Sequence, residues 1–163
     1  MKILISHFYS SDNTGDAALL SVLLSDIKRA FKGASVKVLI LDRIQKGETV
    51  DGYPLRNSFM NLAREGYQNP IAKVLYAIYI AIAVPLWAFA HRYLHINIPV
   101  SKNLRETIAL YEDADLVIPV GGGYIRAKTG FYSTITLFFI LQPFWFARFI
   151  GKPIVGYAQS IGP

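Results

Sequence analysis

The sequence has no cysteine. Disulfide bonds, zinc–thiolate sites and thiol nucleophiles are therefore all excluded. The chain also lacks the basic, apolar and small-residue pattern of a secretory signal, because Met1–Ile5 is only a short apolar run. From these two absences we expect a cytoplasmic protein, placed at the inner face of the plasma membrane if it touches a membrane.

Carboxylates are missing from two long stretches of the chain. No Asp or Glu occurs between Gly66 and Arg105, or from Leu116 to Pro163. In the whole chain 17 Lys and Arg residues outnumber 11 Asp and Glu residues, giving a net charge of +6. Such stretches suit an anionic lipid surface or a phosphorylated ligand. Nucleic acid is not expected as a partner, because the basic residues are dispersed among apolar segments and form no recognised motif.

Apolar runs that suit buried strands alternate with helical patterns, and 163 residues favour a single domain. The predicted strands are residues 2–6, 36–41, 115–120 and 153–158. A helix with leucines at helical spacing follows the first strand, and Ser101–Asp113 is predicted to form another. Arg43–Asn69 holds several Gly and Pro residues and is expected to be irregular, with one helix around Ser58–Glu65. This alternation predicts an α/β fold with a mostly parallel sheet and helices on both faces.

Two apolar runs carry no charge, Val74–Ala90 and Gly130–Ala147. As helices they would be about 25 and 27 Å long, slightly shorter than a hydrocarbon core of about 30 Å. Neither is expected to cross a membrane singly, because the strands around them belong to one sheet. For the second run, a sheet-covering helix and a membrane-contacting helix both fit.

The first run lies in a hydrophobic insertion at residues 71–95, which we expect to be helical with an exposed apolar face. Aromatic and basic residues at its borders favour contact with a membrane surface. Burial against the sheet and a hairpin broken at Pro85 are the alternatives.

Three polar or glycine-rich loops follow predicted strands, and parallel strands end at one edge of the sheet, where ligands bind. The first loop, Asn13–Asp16, precedes a helix whose free N–H groups suit an anionic or polyhydroxyl ligand. The alternative is that Asn13 or Thr14 caps the helix while Asp16 complements the helix dipole.

The second loop is Gly121–Gly123, ahead of Arg126 and Lys128. Consecutive glycines let a ligand approach the backbone, and the two cations could then bind phosphate or carboxylate. The G-x-G-x-x-G spacing of dinucleotide sites is absent here and after the first strand, so no nicotinamide or flavin cofactor is expected.

The third loop, Ala158–Gly162, is similar to the nucleophile elbow of acyl hydrolases, with Ser160 in the nucleophile position. The acid and the histidine of a triad would have to follow Ser160, and only three residues do. His91 and His95 have a spacing that could place both rings on one helix face, but no further ligands accompany them. We interpret them as interfacial residues and predict no metal site.

In their order and strand context, the three loops make the sequence resemble the polysaccharide pyruvyl transferases. The family's Asn-x-Gly-Asp motif is matched by Asn13–Asp16, and its Asp-Leu-Val-Ile segment that leads into glycines is matched by Asp115–Gly123. The Gly-Lys-Pro and Gln-Ser-Ile-Gly-Pro motifs are matched by Gly151–Pro153 and Gln159–Pro163. Arg43–Lys102 is not matched.

The resemblance implies a Rossmann-like domain over residues 1–163, the N-terminal half of a GT-B-like two-domain fold whose C-terminal domain is absent from this chain. It implies an enzyme that moves the enolpyruvyl group of phosphoenolpyruvate onto a sugar of a cell-surface polysaccharide or its lipid-linked precursor, forming a pyruvate ketal. Phosphoenolpyruvate is then a co-substrate, and no cofactor is expected. Asp16 is the candidate catalytic residue. The candidate substrate-binding residues are Asn13, Gly15, Gly121, Gly122, Gly123, Arg126, Gln159 and Ser160.

Two other functions stay open from the sequence. One is a GT-B-like glycosyltransferase or related transferase, which would use the same loops. The other is a non-catalytic, membrane-associated binding fragment.

Overall fold

The computed structural model of the chain describes residues 1–10, 13–42, 48–65, 68–121, 125–126, 131–159 and 161–162. It has a mixed α/β architecture. The elements are β1 (Lys2–Phe8), α1 (Thr14–Ala30), β2 (Ser35–Ile40), β3 (Thr49–Val50), β4 (Tyr53–Asn57), α2 (Phe59–Glu65), α3 (Pro70–Phe89) with a π-helical continuation (Ala90–Leu94), α4 (Lys102–Asp113), β5 (Leu116–Pro119), β6 (Ile125–Arg126), α5 (Phe131–Phe149) and β7 (Ile161–Gly162).

The main sheet has five strands in the order β3-β4-β2-β1-β5, and β6 pairs with β7 in a separate two-stranded sheet. Strands β4, β2, β1 and β5 run parallel, while β3 is antiparallel to β4. The predicted mostly parallel sheet is therefore confirmed. The predicted strands at 2–6, 36–41 and 115–120 correspond to β1, β2 and β5.

The predicted strand at 153–158 is wrong as a regular strand. This segment runs parallel to β5 but is joined to it by two isolated bridges, Val117 to Ile154 and Val120 to Tyr157. Val155 N–H donates to the carbonyl of Val117, and Tyr157 N–H donates to the carbonyl of Pro119. The ladder is interrupted between these bonds because Pro119 has no N–H to donate.

The prediction of an irregular Arg43–Asn69 was also wrong in part. Strand β4 extends the sheet, with Leu55 opposite Val38 of β2, and β3 folds back onto it through a turn that has positive φ at Asp51 and Gly52. The helix expected around Ser58–Glu65 is confirmed as α2.

Strand β1 separates two apolar cores. Ile3 and Ile5 pack in one core with α1, whereas Leu4 packs in the other with α2, α3, α4 and α5. The alternation follows from the strand geometry, in which successive side chains point to opposite faces. Helices therefore cover both faces of the sheet, as predicted.

The second core contains four fully buried aromatic rings, Phe59, Trp87, Tyr111 and Phe146. Phe59 and Tyr111 are stacked at 5.3 Å between ring centroids. Phe146 meets each of them edge to face, at 5.1 and 5.3 Å. Edge-to-face and offset pairs are the favoured arrangements of aromatic rings, so this cluster fixes how α2, α3, α4 and α5 pack together.

Helix α3 begins at a defined cap. The side chain of Asn69 accepts hydrogen bonds from the N–H groups of Ile71 and Ala72, and Pro70 occupies the first turn, where its missing N–H has no cost. The helix continues through Pro85, so the alternative of a hairpin broken there is wrong. Within the described residues, Pro70–Leu94 is the one helical segment long and apolar enough to cross a membrane, by length and composition alone.

The aromatic cluster gives a test of this packing. Phe146→Ala is expected to lower the free energy of unfolding by about 3–5 kcal/mol, because it leaves a cavity among rings that cannot all relax. Phe149→Ala, in the same helix but 41% exposed, is the matched control and is expected to cost less than about 1 kcal/mol. Urea unfolding followed by circular dichroism measures both, and equal losses would contradict the packing described.

Candidate functional site

The carboxyl ends of β1 and β5 lie side by side at one edge of the sheet. Ser6 of β1 pairs with Pro119 of β5, and the next N–H, that of Val120, donates to the carbonyl of Ser6. The chain order reverses at this point, since β2 lies on one side of β1 and β5 on the other. Such a reversal opens a crevice in which parallel sheets bind ligands. The described parts of the three predicted loops leave the sheet at this edge.

Asn13 caps helix α1. It has an extended backbone, with φ −87° and ψ 104°, and its side-chain oxygen accepts hydrogen bonds from the N–H groups of Gly15 at 3.1 Å and Asp16 at 3.4 Å. The capping interpretation of this loop therefore holds for Asn13. A ligand-binding role for Asn13 and Gly15 stays a prediction.

Asp16 lies in the first turn of α1 and is half-buried. Among the described residues, none donates a hydrogen bond to the Asp16 carboxylate. The cap of α1 is formed by Asn13. Burial raises the pKa of Asp16 above its ordinary value, because desolvation disfavours the charged form. The carboxylate is therefore more basic than a solvated one, and its position in the first turn also lets it complement the dipole of α1.

Gly121, the second residue after the end of β5, touches the third loop through its backbone. A Cβ atom at Gly121 would lie 1.7 Å from the carbonyl oxygen of Ala158 and 2.7 Å from that of Tyr157. No larger residue fits without moving one of the loops. Ala158 itself has φ +51°, a conformation that costs energy for a residue with a Cβ. The glycine is thus required by the approach of two loops.

Gln159 reinforces the same contact. Its side-chain N–H group donates to the carbonyl of Pro119 at 2.8 Å, the group at which β5 ends. A few residues on, β6 and β7 pair in parallel, with Arg126 opposite Gly162. The backbone that follows the glycine loop is therefore joined to the backbone that follows Gln159.

The remaining predicted site residues fall outside what the structure describes. Gly122, Gly123 and Ser160 are not among the described residues, and Arg126 is described in its backbone only. Their binding roles, and that of Gln159, stay predictions.

Of the two histidines that follow α3, His91 is half-buried and His95 is exposed. The ring of His91 stacks on Trp87 at 4.7 Å, and its Nδ1 lies 3.0 Å from Oδ1 of Asn97. His95 ends the π-helical turn with φ +56°. Over the described ranges, no cluster of three or more His, Asp or Glu residues that could hold a metal ion is found.

His7 was missed by the sequence reasoning, although it lies at the candidate edge. It is buried near the end of β1, has φ +69° and coincides with an irregularity in the pairing of β1 with β2. Its Nε2 lies 2.6 Å from the carbonyl of Ile140 in α5, and its Nδ1 lies 2.9 Å from the Ser6 hydroxyl. The signal in the sequence was a pair of polar residues within an apolar strand.

The partners of His7 fix its tautomer. A carbonyl can only accept, so Nε2 carries the proton and Nδ1 accepts from the hydroxyl of Ser6. Burial lowers the pKa of His7 to about 4, with the bond to Ile140 opposing the shift. His7 is thus a neutral connector between β1 and α5.

The loop contact predicts a steric effect. Gly121→Ala is expected to destabilise the fold by about 1–3 kcal/mol, because Ala158 or the glycine loop has to move. Gly15→Ala is the control, since its Cβ would be 3.4 Å from the side chain of Asn13, an ordinary contact. Thermal unfolding of both variants checks this, and equal midpoints would contradict the close approach.

His7 predicts a pH effect on stability. Below pH 6.5 the unfolded chain protonates this residue, whereas the folded protein does so only near its lowered pKa of about 4. The contribution of His7 to the free energy of unfolding is therefore fully present above about pH 6.5. It is lost as the pH falls towards 4, by about 3 kcal/mol in total. His7→Asn, which tolerates positive φ, should lose this part of the pH dependence in urea unfolding.

His95→Asn is the matched control, because His95 also has positive φ but is exposed. It is expected to keep the wild-type profile. A wild-type slope in the His7→Asn variant would overturn the assignment.

Comparison with known proteins agrees with the family resemblance that the three loops predict. A family model of the polysaccharide pyruvyl transferases matches residues 13–163, from the cap of α1 to the end of the third loop. No curated protein and no solved structure matches the chain. The match covers most of the chain and includes all three motifs that meet the candidate edge. The chain therefore belongs to the polysaccharide pyruvyl transferase family, a family of transferases.

Proposed function

We propose that this chain provides one wall of an active site that moves the enolpyruvyl group of phosphoenolpyruvate onto two hydroxyls of a sugar. The acceptor belongs to a cell-surface polysaccharide or to its lipid-linked precursor, and the reaction takes place in the cytoplasm. The observation that carries the proposal is the family match over residues 13–163, combined with the position of the described parts of its motif loops at one edge of the sheet.

The chemistry defines which groups are needed. One sugar oxygen adds to C2 of phosphoenolpyruvate while C3 gains a proton and becomes a methyl group. The second sugar oxygen then replaces the phosphate, so two C–O bonds form at C2 and the bond to the phosphate oxygen breaks. Two hydroxyl protons are lost; the methyl group takes the equivalent of one, and the other leaves with phosphate or solvent. The site thus needs a base, a proton donor and cations.

Asp16 is proposed as the base that accepts a sugar hydroxyl proton. Its raised pKa supports this role, because a base is most effective when its pKa approaches the working pH. Its position also supports the role, since the cap of α1 is formed by Asn13 and does not need the Asp16 carboxylate.

The glycine loop and Arg126 are proposed to hold the phosphate or carboxylate of phosphoenolpyruvate. The support is the close approach of Gly121 to the backbone of Ala158 in the third loop, and the pairing of the Arg126 backbone with Gly162. Exposed backbone N–H groups and a guanidinium are suitable partners for both anions.

We further propose a Rossmann-like fold and a GT-B-like arrangement in which a second domain provides the opposite wall of the cleft. In chain order, the parallel strands and the 153–157 segment are arranged 3-2-1-4-5, which matches the first five positions of the doubly wound strand order 3-2-1-4-5-6. Reacting groups divided between two walls must be held in register, which is worth roughly 7–11 kcal/mol of the barrier. Residues 1–163 alone are therefore expected to be inactive.

The test is a substitution at Asp16 in the protein made from the complete reading frame. Asp16→Asn is expected to keep the fold and to reduce pyruvyl transfer by at least about 100-fold, because the amide cannot accept the proton. Phosphate release from phosphoenolpyruvate, with and without a sugar acceptor, measures the rate. Asp51→Asn is the control, since Asp51 lies in the β3–β4 turn, where positive φ also suits asparagine.

Full activity in Asp16→Asn, together with early unfolding of Asp16→Ala, would assign the Asp16 side chain to stabilising the first turn of α1 and overturn its role as base.

A further inference from the structure

Helix α3 carries an apolar stripe on its exposed side. Eight side chains, each 50 to 70% exposed, recur at intervals of three or four residues, so they lie on one side of the helix. We call them the α3 stripe: Ile71, Val74, Leu75, Ile78, Ile82, Leu86, Phe89 and Tyr93. The opposite side holds fully buried residues such as Ile80, Val84 and Trp87. The helix is thus apolar on its solvent side as well as on its core side.

The stripe continues onto α5. The rings of Phe89 and Tyr93 are 5.0 Å apart, and Tyr93 meets Phe149 of α5 edge to face at 6.3 Å. Helix α5 packs against α3 and has exposed apolar side chains of its own, including Phe138 and Leu141. Exposed apolar side chains that adjoin one another on two neighbouring helices mark an interaction site.

The charges on the two helices that carry this surface have one sign. Neither α3 nor α5 contains a carboxylate, and the sequence from Gly66 to Arg105 has none. Arg92 and Arg148 are exposed at the carboxyl ends of the two helices. Arg92 is close to Gly151, where a Cβ would lie 3.3 Å from its guanidinium. This arrangement complements an anionic surface, because arginines at an apolar border can reach headgroups while the apolar residues enter the boundary region.

The packing of α3 decides its orientation. Crossing a bilayer would require the removal of Ile80, Val84 and Trp87 from the second core, where they are fully buried. A helix held along the sheet can instead lie in the plane of the interface. From Ile71 to Tyr93 the stripe is about 33 Å long at 1.5 Å per residue, so its whole length is available to a flat surface.

We propose that the α3 stripe docks the protein onto an anionic lipid bilayer, with the helix lying in the plane of the interface. This goes beyond the proposed reaction and does not depend on it. The competing interpretations are that the stripe binds a second copy of this chain or a protein partner with an apolar groove.

Flotation with lipid vesicles tests the proposal. The protein is expected to float with vesicles of phosphatidylcholine and phosphatidylglycerol, and much less with phosphatidylcholine alone. The triple variant Ile78→Gln, Ile82→Gln, Leu86→Gln is expected to bind on the order of tenfold more weakly, because three apolar contacts are lost. Val22→Gln is the matched control, since Val22 is 55% exposed on α1, which covers the other face of the sheet; it should float like the wild type.

The charge contribution is tested separately. Arg92→Gln with Arg148→Gln is expected to reduce flotation with the anionic vesicles and to leave the weak binding to neutral vesicles unchanged. Circular dichroism of each variant confirms that it is folded. No substrate is present, so the outcome is independent of pyruvyl transfer.

Three results would overturn the proposal. The first is wild-type flotation in the folded triple variant. The second is equal flotation of the wild type with neutral and anionic vesicles. The third is a wild-type dimer that does not float and becomes a monomer in the triple variant, which would assign the stripe to self-association.

Discussion

Strand β1 is hydrogen-bonded on both sides and buried on both faces, and this double constraint places the other elements. Its neighbours β2 and β5 satisfy its backbone groups, which a buried strand needs. Its side chains then have to supply apolar surface to two cores, Ile3 and Ile5 to one and Leu4 to the other. Helices are required on both faces for the same reason. The end of β1 is consequently the point where both layers meet, at the edge that holds the candidate site.

At that end, polar and backbone contacts replace apolar packing. His7 connects β1 to α5 through the carbonyl of Ile140, while Gly121 and Gln159 connect the β5 end to the third loop. Each of these contacts joins two segments that are distant in the sequence. The reaction proposed above has to hold two molecules in register, and loops joined in this way would help to do so. Asp16 differs from these residues, because the described structure gives its carboxylate no partner.

The sequence alone predicted the elements whose pattern is local and long. Strands β1 and β2 and helices α1, α3 and α4 were recognisable from periodicity, and the motifs located the loops. Strand β4 was missed because Pro54 and neighbouring glycines resemble a loop, and only its pairing with β2 makes it a strand. The irregular edge at 153–158 depends on Pro119 in another strand. The positive φ of His7 and the contact of Gly121 with Ala158 depend on distant backbone, which no local pattern encodes.

Helix α3 is synthesised before two of the helices that pack against it. Residues 70–94 leave the ribosome ahead of α4 and α5, which enclose part of its buried side. At 5–20 residues per second, the delay until the end of α5 is roughly three to ten seconds. For that interval the nascent chain presents a helix that is apolar on two sides and long enough to be taken for a span. The relative rates of membrane insertion and of folding then decide where the helix goes. The later half of the chain favours folding onto the sheet, because α4 and α5 enclose part of the buried side of α3.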